Sequence, residues 1–160
     1  MQHTDKLTGL SAEKLRAILN YDPLSGTFRR NGSIAGYLNY GRLVIKINQR
    51  AYFAHRLAWL YMTGEWPEHD VDHINLIKND NRWSNLRAAT RSQNCGNQRV
   101  RRNNFSGLKG AYRHPTAGWT SHIRVNGKLH GLGSFATAEA AHAAYAAKAA
   151  ELFGDFSRVV

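Results

Sequence analysis

VDHINLIKNDNRWSNLRAATRSQN, residues 71–94, sets a carboxylate beside an imidazole at Asp72-His73 and follows them with amides that include Asn85 and Asn94. If residues 70–74 form a strand, Asp72 and His73 point to opposite faces, so both can serve one site only where the strand edge meets a loop or helix. Leu86-Arg87-Ala88-Ala89 reads as a second short strand. Thr90 is a helix cap, and a helix through Arg91, Asn94 and Gln98 would bring Asn94 in from the other side. The loop between, Asn75 to Asn85, is rich in Asn and Asp; loops so polar either stay solvated or organise something by hydrogen bonding. An isolated Asp-His pair is most often a surface hydrogen bond; it is the pair, the loop and the spacing together that point to a site.

Upstream, Ser11 to Leu19 carries a helical signature: Ser11 can cap, Glu13 lies in the first turn, and Leu15, Ile18 and Leu19 share a face. Asp22-Pro23 with Ser25-Gly26 predicts a turn, and residues 41–47 and 51–53 predict strands around a polar Asn48-Gln49-Arg50 turn. From His55 to Thr63, Leu57, Ala58, Leu60 and Tyr61 recur at helical spacing until Gly64 and Pro67 end the run. Trp59, Trp66 and Trp83 read as core or loop anchors rather than base-stacking platforms. Downstream, residues 99–104 (RVRRNN) lack apolar periodicity and read as a basic linker. Strands follow at 108–113, 119–125 and 128–135, with an Asn126-Gly127 hairpin turn. An alanine-rich helix then opens at Thr137-Ala138-Glu139 and ends at Gly154.

A chain of 160 residues with 42% hydrophobic content can build two small cores, each of marginal stability alone. Its net charge is +11, and the interval between Asp80 and Glu139 contains no acidic residue at all. That interval holds Arg82, Arg87, Arg91, Arg99, Arg101, Arg102, Lys109, Arg113, Arg124 and Lys128, the footprint of a polyanion-binding surface. A membrane partner is disfavoured, because no long basic amphipathic helix or lipidation motif is present. The single cysteine, Cys95, excludes an intramolecular disulfide and a zinc site built from cysteine pairs. MQHTDKLTGL has no apolar signal region and no window approaches the length of a membrane span, so a reducing cytoplasm is the expected location.

The string 71–94, with the helix AHRLAWLYMTGEWP ahead of it, resembles the HNH nuclease superfamily in the ββα-metal form typical of phage homing endonucleases, over roughly residues 20 to 102. The resemblance implies that His73 is the general base, that Asp72 and Asn94 bind one divalent metal, and that Asn85 holds the loop. Many relatives carry His at the third position; this chain has Asn94, as phage homing enzymes commonly do. A carboxylate and an amide carbonyl are hard oxygen ligands and suit Mg²⁺ or Mn²⁺ better than Zn²⁺. Arg56, at the start of the preceding helix, can present paired donors to the scissile phosphate, or can simply be a solvated helix end.

The C-terminal segment resembles the plant APETALA and ethylene-response-factor DNA-binding domain through Ser106-Gly107-Leu108-Lys109-Gly110, Trp119, Ile123-Arg124, Leu132-Gly133-Ser134-Phe135 and the helix TAEAAHAAYAAKAAELFG. In that family a three-stranded sheet lies in the major groove with a helix packed behind it. The implied DNA contacts are Lys109, Trp119 and Arg124, with Tyr112, Arg113 and Lys128 as neighbours. A plainer alternative has Trp119 filling the small core while the basic groups meet phosphates.

The expectation is therefore an α+β protein: an HNH nuclease module at 1–102, with an N-terminal helix and strand extension, and a βββα DNA-binding module at 105–160. It would be a monomer cutting double-stranded DNA in a cytoplasm, the host cell's if phage-encoded. The main rival is a non-catalytic, sequence-specific DNA-binding regulator with an inert HNH scaffold; an RNA-directed nuclease is disfavoured, since no aromatic RNA-stacking motif is evident.

Overall fold

Described here are residues 9–100, 103–116 and 118–159 of a computed structural model. By packing they form two compact units, one ending at Ala89 and the other beginning at Thr90. The architecture is mixed α+β, with several small antiparallel sheets. No described helix is long and apolar enough to cross a membrane.

In the first unit the Ser11 hydroxyl accepts the Lys14 backbone N–H at 3.2 Å and so opens α1, Ala12–Ile18. Two three-stranded sheets follow. The first comprises β1 (Asn20–Asp22), β2 (Thr27–Arg30) and β3 (Ser33–Ile34); the second comprises β4 (Tyr37–Asn39), β5 (Arg42–Ile47) and β6 (Arg50–Phe53). Asn48 and Gln49 hold φ of 48° and 66°, the left-handed pair of a two-residue hairpin turn, so Arg50 begins a strand instead of completing the turn. Then come α2 (Ala54–Thr63), closed by Gly64, and the two-stranded pair β7 (Asp70–His73) and β8 (Leu86–Ala89). Leu15, Leu19, Phe28, Ile45, Leu57 and Leu60 are almost wholly buried and make the centre of the core. Trp59, Trp66 and Trp83 pack at its edge as anchors, the Trp66 indole N–H reaching the Leu10 carbonyl at 3.0 Å.

The second unit begins with α3, Arg91–Asn97, opened by a reciprocal cap between Thr90 and Gln93. Strands β9 (Ala111–His114), β10 (Gly118–Val125) and β11 (Lys128–Phe135) form one antiparallel sheet with β10 central. Helix α4, Ala138–Phe153, packs on it, and its alanines Ala138, Ala141 and Ala149 permit a close approach. The strand expected from Leu108 starts later, at Ala111, because Asn104 and Ser106 organise the preceding residues into turns: the Ser106 hydroxyl donates within 3.0 Å of the Leu108 and Ala111 carbonyls.

Helix α3 packs within this unit. Gly96 lies against Phe153, and the Ser92 hydroxyl meets Asn126 at 3.1 Å. Lys109 fastens the same region: its ammonium donates to the carbonyls of Gly96 (2.6 Å), Gln98 (2.8 Å) and Arg158 (2.8 Å). Carbonyls near a helix C-terminus lack intrahelical partners, and a lysine satisfies them well. Burial, and then the charge of Arg158, brings the Lys109 amine down to about 8.

Gly110 adopts φ +77°, and a Cβ there would lie 2.1 Å from the Tyr145 ring, so no side chain fits without displacing α4. Gly110→Ala should destabilise the second unit by roughly 2–4 kcal/mol, combining left-handed strain with overpacking. Urea unfolding followed by tryptophan fluorescence measures this; unchanged stability would show that the helix can withdraw at little cost.

Candidate active site

Asp72 and His73 close strand β7, and both are buried. Strand alternation sends them apart, and each meets a different partner. Asp72 lies directly opposite Arg87 in the β7–β8 register, and its Oδ2 accepts from the Arg87 guanidinium at 3.1 and 3.2 Å. The His73 ring turns to the loop, where its Nε2 lies 3.0 Å from Asn81 Oδ1. The Asn81 amide nitrogen donates to the Asn79 carbonyl, which orients the oxygen toward the imidazole. An amide oxygen carries no proton, so the shared hydrogen belongs to Nε2 and the lone pair of the neutral ring sits on Nδ1.

Residues 75–85 hold their shape by hydrogen bonds. The Asn85 amide donates to Asn75 Oδ1 (2.9 Å) and the Asp80 carbonyl (2.8 Å), and its oxygen accepts the Asn75 backbone N–H (3.0 Å). Asp80 accepts from Asn75 at 2.7 Å and from the Arg82 fork at 2.8 and 2.6 Å; the Arg82 bond is the main cause holding its carboxyl down to about 2. The β1–β2 hairpin backs the loop. The Tyr21 hydroxyl donates to the Asn81 carbonyl at 2.6 Å, and the Trp83 N–H reaches Pro23 at 3.0 Å. Gly26 is needed at that contact: with φ +73°, its Cβ would fall 2.4 Å from Arg82 N. Burial raises the Tyr21 phenol, and the charges of Asp22 and Asp80 push the same way.

Sequence reasoning missed two neighbours of His73. Asn81, 1% exposed, is the amide that touches the imidazole, whereas Asn85 serves the loop backbone. The second is His55 on α2, whose ring meets that of His73 edge-on at 5.0 Å and stacks on Phe53 at 5.6 Å. The Asn-rich composition pointed to the loop, but nothing in it ranked one amide above another. His55 is pushed down to about 3 by burial first, then by His73, Arg42 and Arg56. His73 is also held below the ordinary histidine value, by burial and Arg42, with the Asn81 bond, Asp72 and Asp80 opposing. Both rings are therefore neutral near pH 7.

The other expected site residues are placed as follows. Arg56 lies over the Trp66 ring at 5.8 Å, with a long 3.5 Å contact to the His69 carbonyl. Asn94 lies half-buried on α3, within the second unit. Arg91 and Arg99 are exposed, and Arg101 and Arg102 lie outside the described residues. Lys109, expected at DNA, directs its ammonium inward as above. Trp119 is half-buried and packs beside Ala111, Ala138 and Phe135. Arg113 shares the Trp119 face and covers Phe105 at 5.8 Å. Lys128 is exposed, and Arg124 is an exposed strand residue bonded to the Gly127 carbonyl at 2.9 Å. The sheet face away from α4 carries Arg124 and a parallel stack of Tyr112 on His122, 4.0 Å apart at 9°.

A divalent cation, as the resemblance implies, needs hard oxygen donors. Asp72 offers a carboxylate at a strand end, with Arg87 as its ion-pair partner. No three His, Cys, Asp or Glu side chains among the described residues gather where they could hold a metal. Asp72 is a hard oxygen donor of the kind that Mg²⁺ or Mn²⁺ accepts.

Unfolded His55 binds a proton near pH 6.5, and folded His55 only near about 3. The unfolded chain therefore holds more protons across that window, so this contribution to stability is complete above 6.5 and is lost as pH falls toward 3. The group should add up to about 1.4 kcal/mol per pH unit to the acid slope of stability. Urea titrations from pH 7 to 4 should show a shallower slope in His55→Gln; equal slopes would mean that His55 is protonated in the fold.

A family model described as HNH endonuclease matches residues 52–95, the segment from β6 through Asp72, His73, Asn81, Asn85 and Asn94. No curated protein and no solved structure matches the chain. This central segment is similar to HNH endonucleases, which supports a nuclease domain acting on DNA.

Proposed function

We propose that the protein is a metal-dependent endonuclease of the phage or homing HNH type, cutting phosphodiester bonds of double-stranded DNA to leave 5′-phosphate and 3′-hydroxyl ends. The observation that carries this reading is the oriented imidazole: His73 is buried at a strand end, with Nε2 tied to Asn81 and a depressed proton affinity. A neutral histidine whose tautomer is set by a hydrogen bond is equipped to take a proton at its other nitrogen from an attacking water. Asp72 and Asn94 would hold the ion, and Asn85 keeps the loop in shape. When bound, a divalent metal supplies Lewis-acid stabilisation of the phosphate and the departing 3′ oxygen. The 105–160 segment is assigned to DNA binding, with Tyr112 and Arg124 on its open face and Arg91, Arg99, Arg101, Arg102, Arg113 and Lys128 as further cations or neighbours.

One observation favours the rival reading of a non-catalytic DNA-binding regulator: the Asp72–Arg87 ion pair already balances the carboxylate. Incubation with plasmid DNA and Mg²⁺ or Mn²⁺, against an EDTA control, decides between the two. Cleavage should require the metal. His73→Ala should abolish cutting while leaving DNA binding within a few fold, and equal losses of both would make His73 structural. Asp72→Ala and Asn94→Ala should raise the metal needed or eliminate cutting; unchanged metal titrations would remove them as ligands.

In the full chain, Arg124→Ala should weaken binding to duplex DNA in a gel-shift titration, since Arg124 is an exposed residue of the C-terminal sheet. Wild-type affinity in that variant would leave Arg124 without a role in DNA binding.

A further inference from the structure

A second acid-free interval runs between Asp22 and Glu65, holding Arg29, Arg30, Arg42, Lys46, Arg50 and Arg56. Two of these cations are mounted on the β4–β5–β6 sheet. Tyr37, Val44 and Phe53 stand opposite one another across its three strands and so share a face, and Arg42 and Lys46, two residues either side of Val44, fall on it as well. On that face the Arg42 guanidinium lies over the Phe53 ring at 5.6 Å, and the Lys46 ammonium over the Tyr37 ring at 5.9 Å. Among the described residues neither cation has a carboxylate partner. Both rings are only half covered, at 46% exposure for Tyr37 and 43% for Phe53.

The face is continuous with the candidate base. Arg42 covers Phe53, Phe53 stacks on His55 at 5.6 Å, and His55 meets His73 at 5.0 Å. Aromatic plates hold cationic side chains in place without neutralising them, which leaves their N–H donors for an anion and lowers the ordering cost of binding one. A face with two held cations, neither in an ion pair with a carboxylate of the described residues, and with exposed rings complements a phosphodiester backbone.

We propose that the β4–β5–β6 face is a second DNA-binding surface, on which Arg42 and Lys46 hold phosphates of the duplex beside the bond that is cut. The inference rests on the nuclease reading for the position of that bond, but its test reads binding alone. Full-length protein is titrated with a fluorescent duplex oligonucleotide, without divalent metal, from 50 to 300 mM salt. Arg42→Gln/Lys46→Gln should weaken binding on the order of tenfold and reduce the slope of log K against log salt by about 1.8, at about 0.9 per phosphate contact. Arg42→Lys/Lys46→Arg keeps the charges and should retain the wild-type slope, which separates lost contacts from lost folding. Lys14→Ala, an exposed cation on α1, controls for net charge and should change little. A wild-type slope in the double glutamine variant, or an equal per-charge loss in Lys14→Ala, overturns the proposal. A wild-type protein that binds but never cuts with Mg²⁺ or Mn²⁺ sinks the nuclease reading, while the salt slopes still decide this one.

Discussion

The link between β7 and β8 has to fold without an apolar core of its own. Ile74 and Ile77 are exposed, and Asn81 is among the most deeply buried side chains in the molecule. Buried amides left unpaired are costly, so the arrangement persists because Asn75, Asp80, Asn81 and Asn85 bond to one another, to the backbone and to the strand end. The orientation of His73 depends on that closure, because the bond from its Nε2 to Asn81 Oδ1 tells the two ring nitrogens apart. Tyr21, Pro23 and Gly26 extend the dependence to the N-terminal hairpin, which packs against the loop from behind. Such networks are cooperative, and removing one member strands the others.

The charge pattern follows the same organisation. The carboxylates Glu65, Glu68, Asp70, Asp72 and Asp80 lie in one short stretch, with acid-free basic stretches before and after it. Acidic and basic groups are thus segregated along the chain, so that each stretch presents charge of one sign. Asp72 is not left as a bare buried charge, since Arg87 faces it across the strand pair. That pairing offsets the desolvation penalty of an isolated carboxylate.

Several features were legible in the residues themselves. The caps at Ser11, Thr90 and Thr137, the Asn126-Gly127 turn and the short strands at 70–73 and 86–89 are local preferences of single residues or short patterns, and the structure follows them. The amide-rich loop and the Asp72-His73 pair marked the candidate site before any geometry was known. The short strands β1 to β4 were not legible, because two- to four-residue strands carry too little periodicity to rise above a polar, glycine-rich background.

What the sequence by itself determined is the inventory: two small cores, a strongly basic surface, and a carboxylate, imidazole and amides at HNH-like spacing. Only tertiary packing decided how each group is used. The family resemblance implies DNA contacts at Lys109 and Trp119; in the fold the lysine ammonium meets three carbonyls and the tryptophan packs beside Ala111 and Ala138. Composition likewise could not separate Asn81 from Asn85, or lift His55 above seven other histidines. A side chain's chemistry is local, but its burial and its partners are set by segments distant in sequence, and those set its protonation, its tautomer and whether an anion can reach it.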